Sequence, residues 1–193
     1  MTESKNYTSV AIILHWVIAV LLIGMVFYAW YMDDLRGALR LQTEGVTLAQ
    51  VQFAYNSHKT VGMIVLLLSF VRLGWRFAHK PPALPQGMAG WEKLIARSTH
   101  IGFYVLMIGM PLLGWVAAST TTAPSMMFNN PDFILPRLPV SQDHDFHELV
   151  GEIHGKGGWA ILILAGLHFA AALKHQFLDK DGLMGRMLPF MKG

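Results

Sequence analysis

No cysteine occurs anywhere in the chain. That absence excludes a disulfide framework, a thiolate-held iron–sulfur centre and any prosthetic group anchored through thioether bonds. Charge is nearly as scarce. Asp, Glu, Lys and Arg make up 14% of the residues while 53% are hydrophobic, which is too apolar for an ordinary soluble domain. There is no internal repeat and no low-complexity segment. No small-residue cleavage site follows the first apolar run, so that run reads as a membrane span and not as a removable signal peptide. The formal net charge of +3 points to no nucleic acid. In so apolar a chain, basic residues mark the cytoplasmic flanks of membrane spans, and the bilayer is the expected surroundings.

What is present is four long apolar stretches. A bilayer-spanning helix needs about 20 mostly apolar residues. Segments 10–31, 53–77, 98–118 and 153–177 meet that requirement, which predicts an all-α, four-helix membrane bundle forming one domain over residues 1–193. Trp16, Trp30, Trp75, Trp115 and Trp159 fall near span ends, where interfacial aromatics belong. Pro111 lies inside the third span and is expected to kink it. The connections read as a mixed polar loop from Met32 to Gln52, a proline-containing stretch from Ala78 to Arg97, and a long loop from Ser119 to Glu152. The last part of that loop, Asp143 to Glu152, reads as a short helix leading into the fourth span. Ten Lys and Arg residues fall on the side of both termini and five on the other. Both termini are therefore expected in the cytoplasm, with the far side facing the periplasm if the host is a bacterium.

Four histidines lie where a bilayer-exposed polar group would be costly: His15, His58, His154 and His168. Intramembrane ionisable residues are candidates for function, although a single one serves as readily to hydrogen-bond neighbouring helices. Their spacing argues further. His154 and His168 are fourteen residues apart on one span, which at about 100° per residue leaves them about 40° apart on one face, separated by about 21 Å along the axis. The first span runs outward and carries His15 early. The fourth runs inward and carries His168 late, so these two share the inner depth. His58 and His154 each open a span at the outer surface and share that depth. Two facing neutral imidazoles suit the two axial positions of a haem iron, and with both filled the site favours electron transfer over oxygen binding. Zinc needs three or four protein ligands, more than either depth offers.

Other residues group around these. Arg72 lies fourteen residues after His58 and so shares its face at the inner depth. It is placed either to neutralise haem propionates or to snorkel toward lipid headgroups. Gly62 and Gly158, one turn from His58 and His154, either admit a flat macrocycle or pack helices. His100 opens the third span on the inner side, where it is either a competitor for a haem or a supporting residue of the bundle, and is read as the latter. His175, about two turns beyond His168, is a candidate hydrogen-bond partner for a quinone carbonyl, or an ordinary interfacial histidine. Lys59 and Lys156 adjoin the outer pair and are candidates to steer a small anion, with Arg36, Arg40 and Arg137 extending the field unless nearby acids cancel it. His144 and His147, among acidic neighbours, read as a solvated face before a metal site, and His79 as a surface residue.

At this point the chain resembles the bacterial cytochrome b561 family, which shares its domain with the cytochrome b subunits of nickel–iron hydrogenases. The matching pieces are "LHW" at His15, "SHKTVG" at His58, "VRLGWR" at Arg72, "HIGFYVLMIGMPLLGW" in the third span and "LHFAAALKHQFLDKDGLMGRM" from His168 onward. Residues 119–152 are the least family-like part. The resemblance implies two haem b groups, one ligated by His15 with His168 and one by His58 with His154, and exchange with the ubiquinone pool. One branch of the family oxidises superoxide at the periplasmic face and reduces ubiquinone at the cytoplasmic face. The expected function is therefore a superoxide:ubiquinone oxidoreductase of the bacterial inner membrane. The alternatives are a cytochrome b subunit fed by a partner redox protein docked on the long loop, and a helical scaffold or transporter that uses its histidines for packing or proton relay.

Overall fold

The computed structural model describes residues 6–85 and 87–188. Four long helices dominate: α1 (Ser9–Arg40), α2 (Leu48–Ala78), α3 (Gly90–Ser119) and α4 (His144–Lys174), the last continuing as a π-helical turn over His175–Asp179. All four are long and apolar enough to cross a membrane. At 1.5 Å per residue, a 31-residue helix such as α2 reaches about 46 Å and overshoots a hydrocarbon core of about 30 Å. Among the described residues there is no strand, only an isolated bridge between Met126 and Ile134.

The helix ends lie beyond the expected spans, and this corrects the reading of the connections. Segment 32–52 is not a loop, because α1 runs on to Arg40 and α2 begins at Leu48. Likewise α3 starts at Gly90, inside the expected connection, and Asp143 to Glu152 holds no separate helix but the Asp143 cap and the first turns of α4. The cause is cooperativity. Once an apolar span has nucleated a helix, each polar residue added outside the bilayer needs no new nucleus, so helices stop at caps and not where hydrophobicity stops. Thr47 and Gln50 form a capping box on α2, Asp143 accepts from the Phe146 N–H on α4, and Glu92 accepts from the Ala89 N–H at the start of α3.

The helices form a ring in which α1 packs on α2 and α4, and α3 packs on the same two. Short connections make neighbours antiparallel, so both chain ends and the α2–α3 connection share one end of the bundle. The core is a stack of Ile18, Leu22 and Val26 from α1, Val65 from α2, Met107 from α3 and Ile161 from α4. Large apolar residues such as Val20, Leu67, Val105, Ile163 and Leu167 point outward, the pattern of a bundle solvated by lipid. α3 continues through Pro111. The missing proline N–H releases the Met107 carbonyl, and the fully buried Ser69 hydroxyl lies 3.5 Å from it while donating to the Val65 carbonyl at 2.7 Å. The indole N–H groups of Trp16, Trp75 and Trp115 donate to the Met187 carbonyl, the Thr8 hydroxyl and the Pro136 carbonyl near the bundle ends.

The long connection is ordered by contacts with α2. Met127 and Leu135 N–H groups bond to the Phe133 and Ser125 carbonyls, closing a small hairpin. The hairpin turns through Phe128 and Asn129, both left-handed. Asn56 and Thr60 side chains accept from the Met126 and Phe128 N–H groups, and the Asn129 amide donates to the Ser57 hydroxyl. The hairpin therefore lies over the beginning of α2, at the end away from the termini.

Candidate functional site

The four intramembrane histidines come together in the expected pairs. His58 of α2 faces His154 of α4 with ring centres 6.1 Å apart, and His15 of α1 faces His168 of α4 at 6.2 Å. Because His154 and His168 lie fourteen residues, about 21 Å, apart along α4, the pairs sit toward opposite ends of the bundle. A metal–imidazole bond is about 2 Å and a ring nitrogen lies about 1.1 Å from its ring centre, so two imidazoles that share one metal have centres about 6 Å apart. Both pairs have that separation.

The pair away from the termini lies beside a small cavity of about 50 Å³, bordered by His58, Lys59, Gly114, Trp115, Leu135 and His154. The Nδ1 atoms of His58 and His154 are buried and have no hydrogen-bond partner, though the Met110 carbonyl lies beside the His154 ring. An imidazole nitrogen buried without a partner costs free energy, which a ligand bound between the rings would offset. Tyr28 of α1 stacks on His58 with ring planes 8° apart. Gly114 is the close approach on the other side. A Cβ built there would stand 2.9 Å from Cε1 of His154, so only glycine leaves this ring its place. Gly62 borders the same cavity, with only the Met25 side chain of α1 near a Cβ built there, whereas Gly158 faces Val26 of α1 in ordinary helix packing.

The other pair is more crowded. His100 of α3 stands 5.8 Å from His168, as near as His15 does, and Phe103 packs edge-on at 5.4 Å. Arg72 donates to the Ala11 carbonyl at 3.0 Å and approaches Nδ1 of His15 at 3.4 Å. An imidazole that accepts from Arg72 at Nδ1 carries its hydrogen on Nε2. Metal ligation through either nitrogen would therefore displace Arg72, directly at Nδ1 or by moving the hydrogen there from Nε2.

The structure separates the outlying candidates. Lys59 donates to the Ser125 hydroxyl at 2.9 Å and borders the His58–His154 cavity. Lys156 lies outside it, exposed and paired with Glu152 at 2.6 Å. His175 is buried, with Nδ1 2.7 Å from Asp181 and 3.0 Å from Asp179. Lys174 bridges Asp179 and Glu92 beside it. His144 pairs with Glu148 on an exposed face, His147 contacts the Thr120 hydroxyl, and exposed His79 stacks on Trp75. Tyr28, Gly114 and the Asp181–His175 contact were not foreseen from spacing, whereas His100 lies beside His168 as a competitor for that depth. The polar pair Asn56 and Thr60, four residues apart at the start of a span, was the available signal for the docked hairpin.

Comparison with known proteins agrees with this arrangement. The family model described as prokaryotic cytochrome b561 matches residues 6–190. Cytochrome b561 homolog 2 of Escherichia coli is 25% identical over 95% of this chain and 92% of its own length. Cytochrome b562 of Cereibacter sphaeroides is 27% identical over 97% and 98%, and a Yersinia pestis protein named "Probable superoxide oxidase CybB" is 23% identical over 98% and 99%. With four helices able to span a membrane and a family match over nearly its whole length, the chain belongs to the prokaryotic cytochrome b561 family of membrane haem b electron-transfer proteins.

Proposed function

We propose that this protein is a di-haem superoxide:ubiquinone oxidoreductase, with one haem b held by His58 and His154 and the other by His15 and His168. The observation that carries the reading is two facing histidine pairs, about 6 Å across, at opposite ends of one bundle. The excess of Lys and Arg at the terminus-bearing end orients that end to the cytoplasm of a bacterial inner membrane. Superoxide is then the donor at the periplasmic end and ubiquinone the acceptor at the cytoplasmic end. Two superoxide ions lose one electron each and leave as dioxygen, and one ubiquinone takes up both electrons with two protons.

When bound, haem supplies a one-electron redox centre at each end. The residues of the chain supply the rest. Lys59, held by Ser125 beside His58, draws a small anion toward that end. Lys156 adds less, because Glu152 neutralises it at close range. Tyr28 and Gly114 fix the planes of the His58 and His154 rings from either side. At the cytoplasmic end Arg72 is the cation placed to turn from His15 to the haem propionates. His175 presents Nε2 for a quinone carbonyl while Asp181 and Asp179 hold Nδ1.

The competing reading is a cytochrome b subunit that takes electrons from a partner redox protein. Phe128, Phe133 and Ile134 favour it, because all three stay more than half exposed on the hairpin above the His58 end. Haem content and spectrum of the purified protein, followed by reduction with a superoxide source in the presence and absence of ubiquinone, test the assignment. Two low-spin haems reduced by superoxide and reoxidised by ubiquinone are expected. A protein that superoxide does not reduce, but that co-purifies with a redox partner, belongs to the second reading.

A further inference from the structure

At the terminus-bearing end a cleft of about 240 Å³ opens between the start of α1 and the end of α2. It is smaller than the roughly 300–1,000 Å³ typical of drug-sized ligand sites. Its border holds four basic side chains, Arg72, Arg76, His79 and Lys80, and no Asp or Glu. Among the described residues none of the four pairs with a carboxylate. Arg72 is engaged inward, at the Ala11 carbonyl and His15. Arg76 and Lys80 face the cleft without such a partner, and His79 sets Nδ1 3.2 Å from the Trp75 carbonyl. Arg76 lies over the Tyr104 ring, with its guanidinium carbon 5.9 Å from the ring centre. His79 stacks on Trp75 at 4.0 Å with planes 11° apart. Lys80 is exposed. The floor is tied together by the Trp75 indole, which donates to the Thr8 hydroxyl of the α1 cap at 2.9 Å.

Cations gathered without counter-charge repel one another, and the arrangement is stable where an anion is always at hand. At the end of a membrane span that anion is the lipid phosphate. Basic pockets at helix ends are filled by anionic headgroups, each Lys or Arg near the surface contributing about fivefold in affinity. The aromatic walls suit the same depth, since Trp and Tyr settle at the headgroup level. We infer that this cleft binds the phosphate headgroup of an anionic phospholipid, held by Arg76 and Lys80. The site adjoins the His15 end through Arg72, which borders the cleft and reaches His15, and it does not depend on which electron donor the protein uses.

The test uses the purified haem-loaded protein in detergent, with phosphatidylglycerol, phosphatidylcholine and inorganic phosphate as probes. Native mass spectrometry reads lipid retention and a melting curve reads stabilisation. Wild type should retain phosphatidylglycerol in preference to phosphatidylcholine and melt higher in its presence. The double variant Arg76→Gln/Lys80→Gln should bind phosphatidylglycerol roughly 25-fold more weakly, at about fivefold per cation, with unchanged haem content. Should the double variant fail to fold, Lys80→Gln alone changes an exposed side chain and should cost about fivefold. Equal retention of the two lipids overturns the inference, as does a variant that binds like wild type. Stabilisation by inorganic phosphate equal to that by phosphatidylglycerol overturns the lipid assignment. Loss of haem from the folded variant overturns it too, because the cations would then serve the carboxylates of the cofactor.

Discussion

Alanine at Gly114 is the sharpest perturbation available at the His58–His154 end. The added carbon would lie 2.9 Å from Cε1 of His154 and 3.4 Å from its Nδ1. Carbon atoms in contact rest at about 3.5–4.0 Å, so the ring must retreat by about 0.6 Å or more. A liganding side chain tolerates displacement of only about 0.5 Å before the bond suffers. Overpacking of this kind costs about 1–3 kcal/mol. Expressed wholly as weaker haem binding, that is roughly 5- to 150-fold. The substitution should otherwise help the fold, since alanine is better than glycine inside a helix by about 1 kcal/mol. Loss of cofactor would therefore not be a symptom of a weakened α3. The assay is haem per protein by pyridine haemochrome, with low-temperature spectra to resolve two haems. Gly114→Ala should move the ratio from two toward one and spare the haem at the other end. Gly109→Ala, where no atom lies within 4 Å of the added carbon, should keep both. A Gly114→Ala protein with two low-spin haems, unchanged in spectrum and midpoint potential, would refute the reasoning.

The remaining predictions probe each end in turn. His15→Ala and His168→Ala should each remove one and the same haem, and His58→Ala and His154→Ala the other; His100→Ala should keep both, and loss of a haem there with retention in His15→Ala would reassign the partner of His168. Lys59→Gln should slow reduction by superoxide several-fold and flatten its salt dependence, whereas Lys156→Gln should do so much less, because Glu152 already offsets that charge. Second-order rate constants at several ionic strengths decide this, and equal effects of the two substitutions would argue against a steering role for the cavity lysine. Asp181→Asn should slow ubiquinone reduction without altering haem content or reduction by superoxide, and unchanged quinone kinetics would remove His175 and its carboxylates from the acceptor site. Arg72→Gln should lower the midpoint potential of the haem near His15 relative to the other, measured by redox titration, and an unchanged difference would place Arg72 away from that haem.

Much of the fold was legible because a bilayer imposes one strong rule. Each span announces itself by about 20 apolar residues, and four were visible. The helix ends were hidden because the rule concerns lipid and not helicity. Residues 33–40, polar as many of them are, simply prolong α1. The histidine pairs were legible because fourteen residues on one helix fix both a face and a separation without reference to any other helix. Gly114 was not legible for the converse reason. α3 contains Gly90, Gly102, Gly109 and Gly114, and only the rotation of α3 against α4 selects the one beneath His154. The same ignorance made Gly158 look equivalent to Gly62, since proximity along a helix to a histidine does not say which neighbouring helix the next turn meets. Gly62 borders the cavity, whereas Gly158 meets Val26 of α1. Lys59 and Lys156 looked equivalent in sequence, and the nearby glutamate four residues before Lys156 was the clue that they differ. The hairpin could not be read, because its fixing contacts are single hydrogen bonds between a proline-interrupted loop and polar side chains of α2.

The two ends differ in a way that bears on direction. A cation near a redox centre favours its reduced form, and does so more strongly where water is excluded. At the terminus-bearing end Arg72 touches His15 itself, and Arg76 stands one helical turn further along α2. At the opposite end the cation beside the pair is Lys59, held by the Ser125 hydroxyl near the hairpin. Guanidinium also stays charged in surroundings that can strip a lysine of its proton. If haems occupy both pairs as proposed, the His15–His168 site would on these grounds be the easier one to reduce, and electrons entering beside His58 would move toward the terminus-bearing end. That is the direction required if the donor arrives under the hairpin and ubiquinone leaves from beside His175. Transfer in the reverse sense would demand that the single lysine outweigh two arginines, one of them in contact with a liganding histidine.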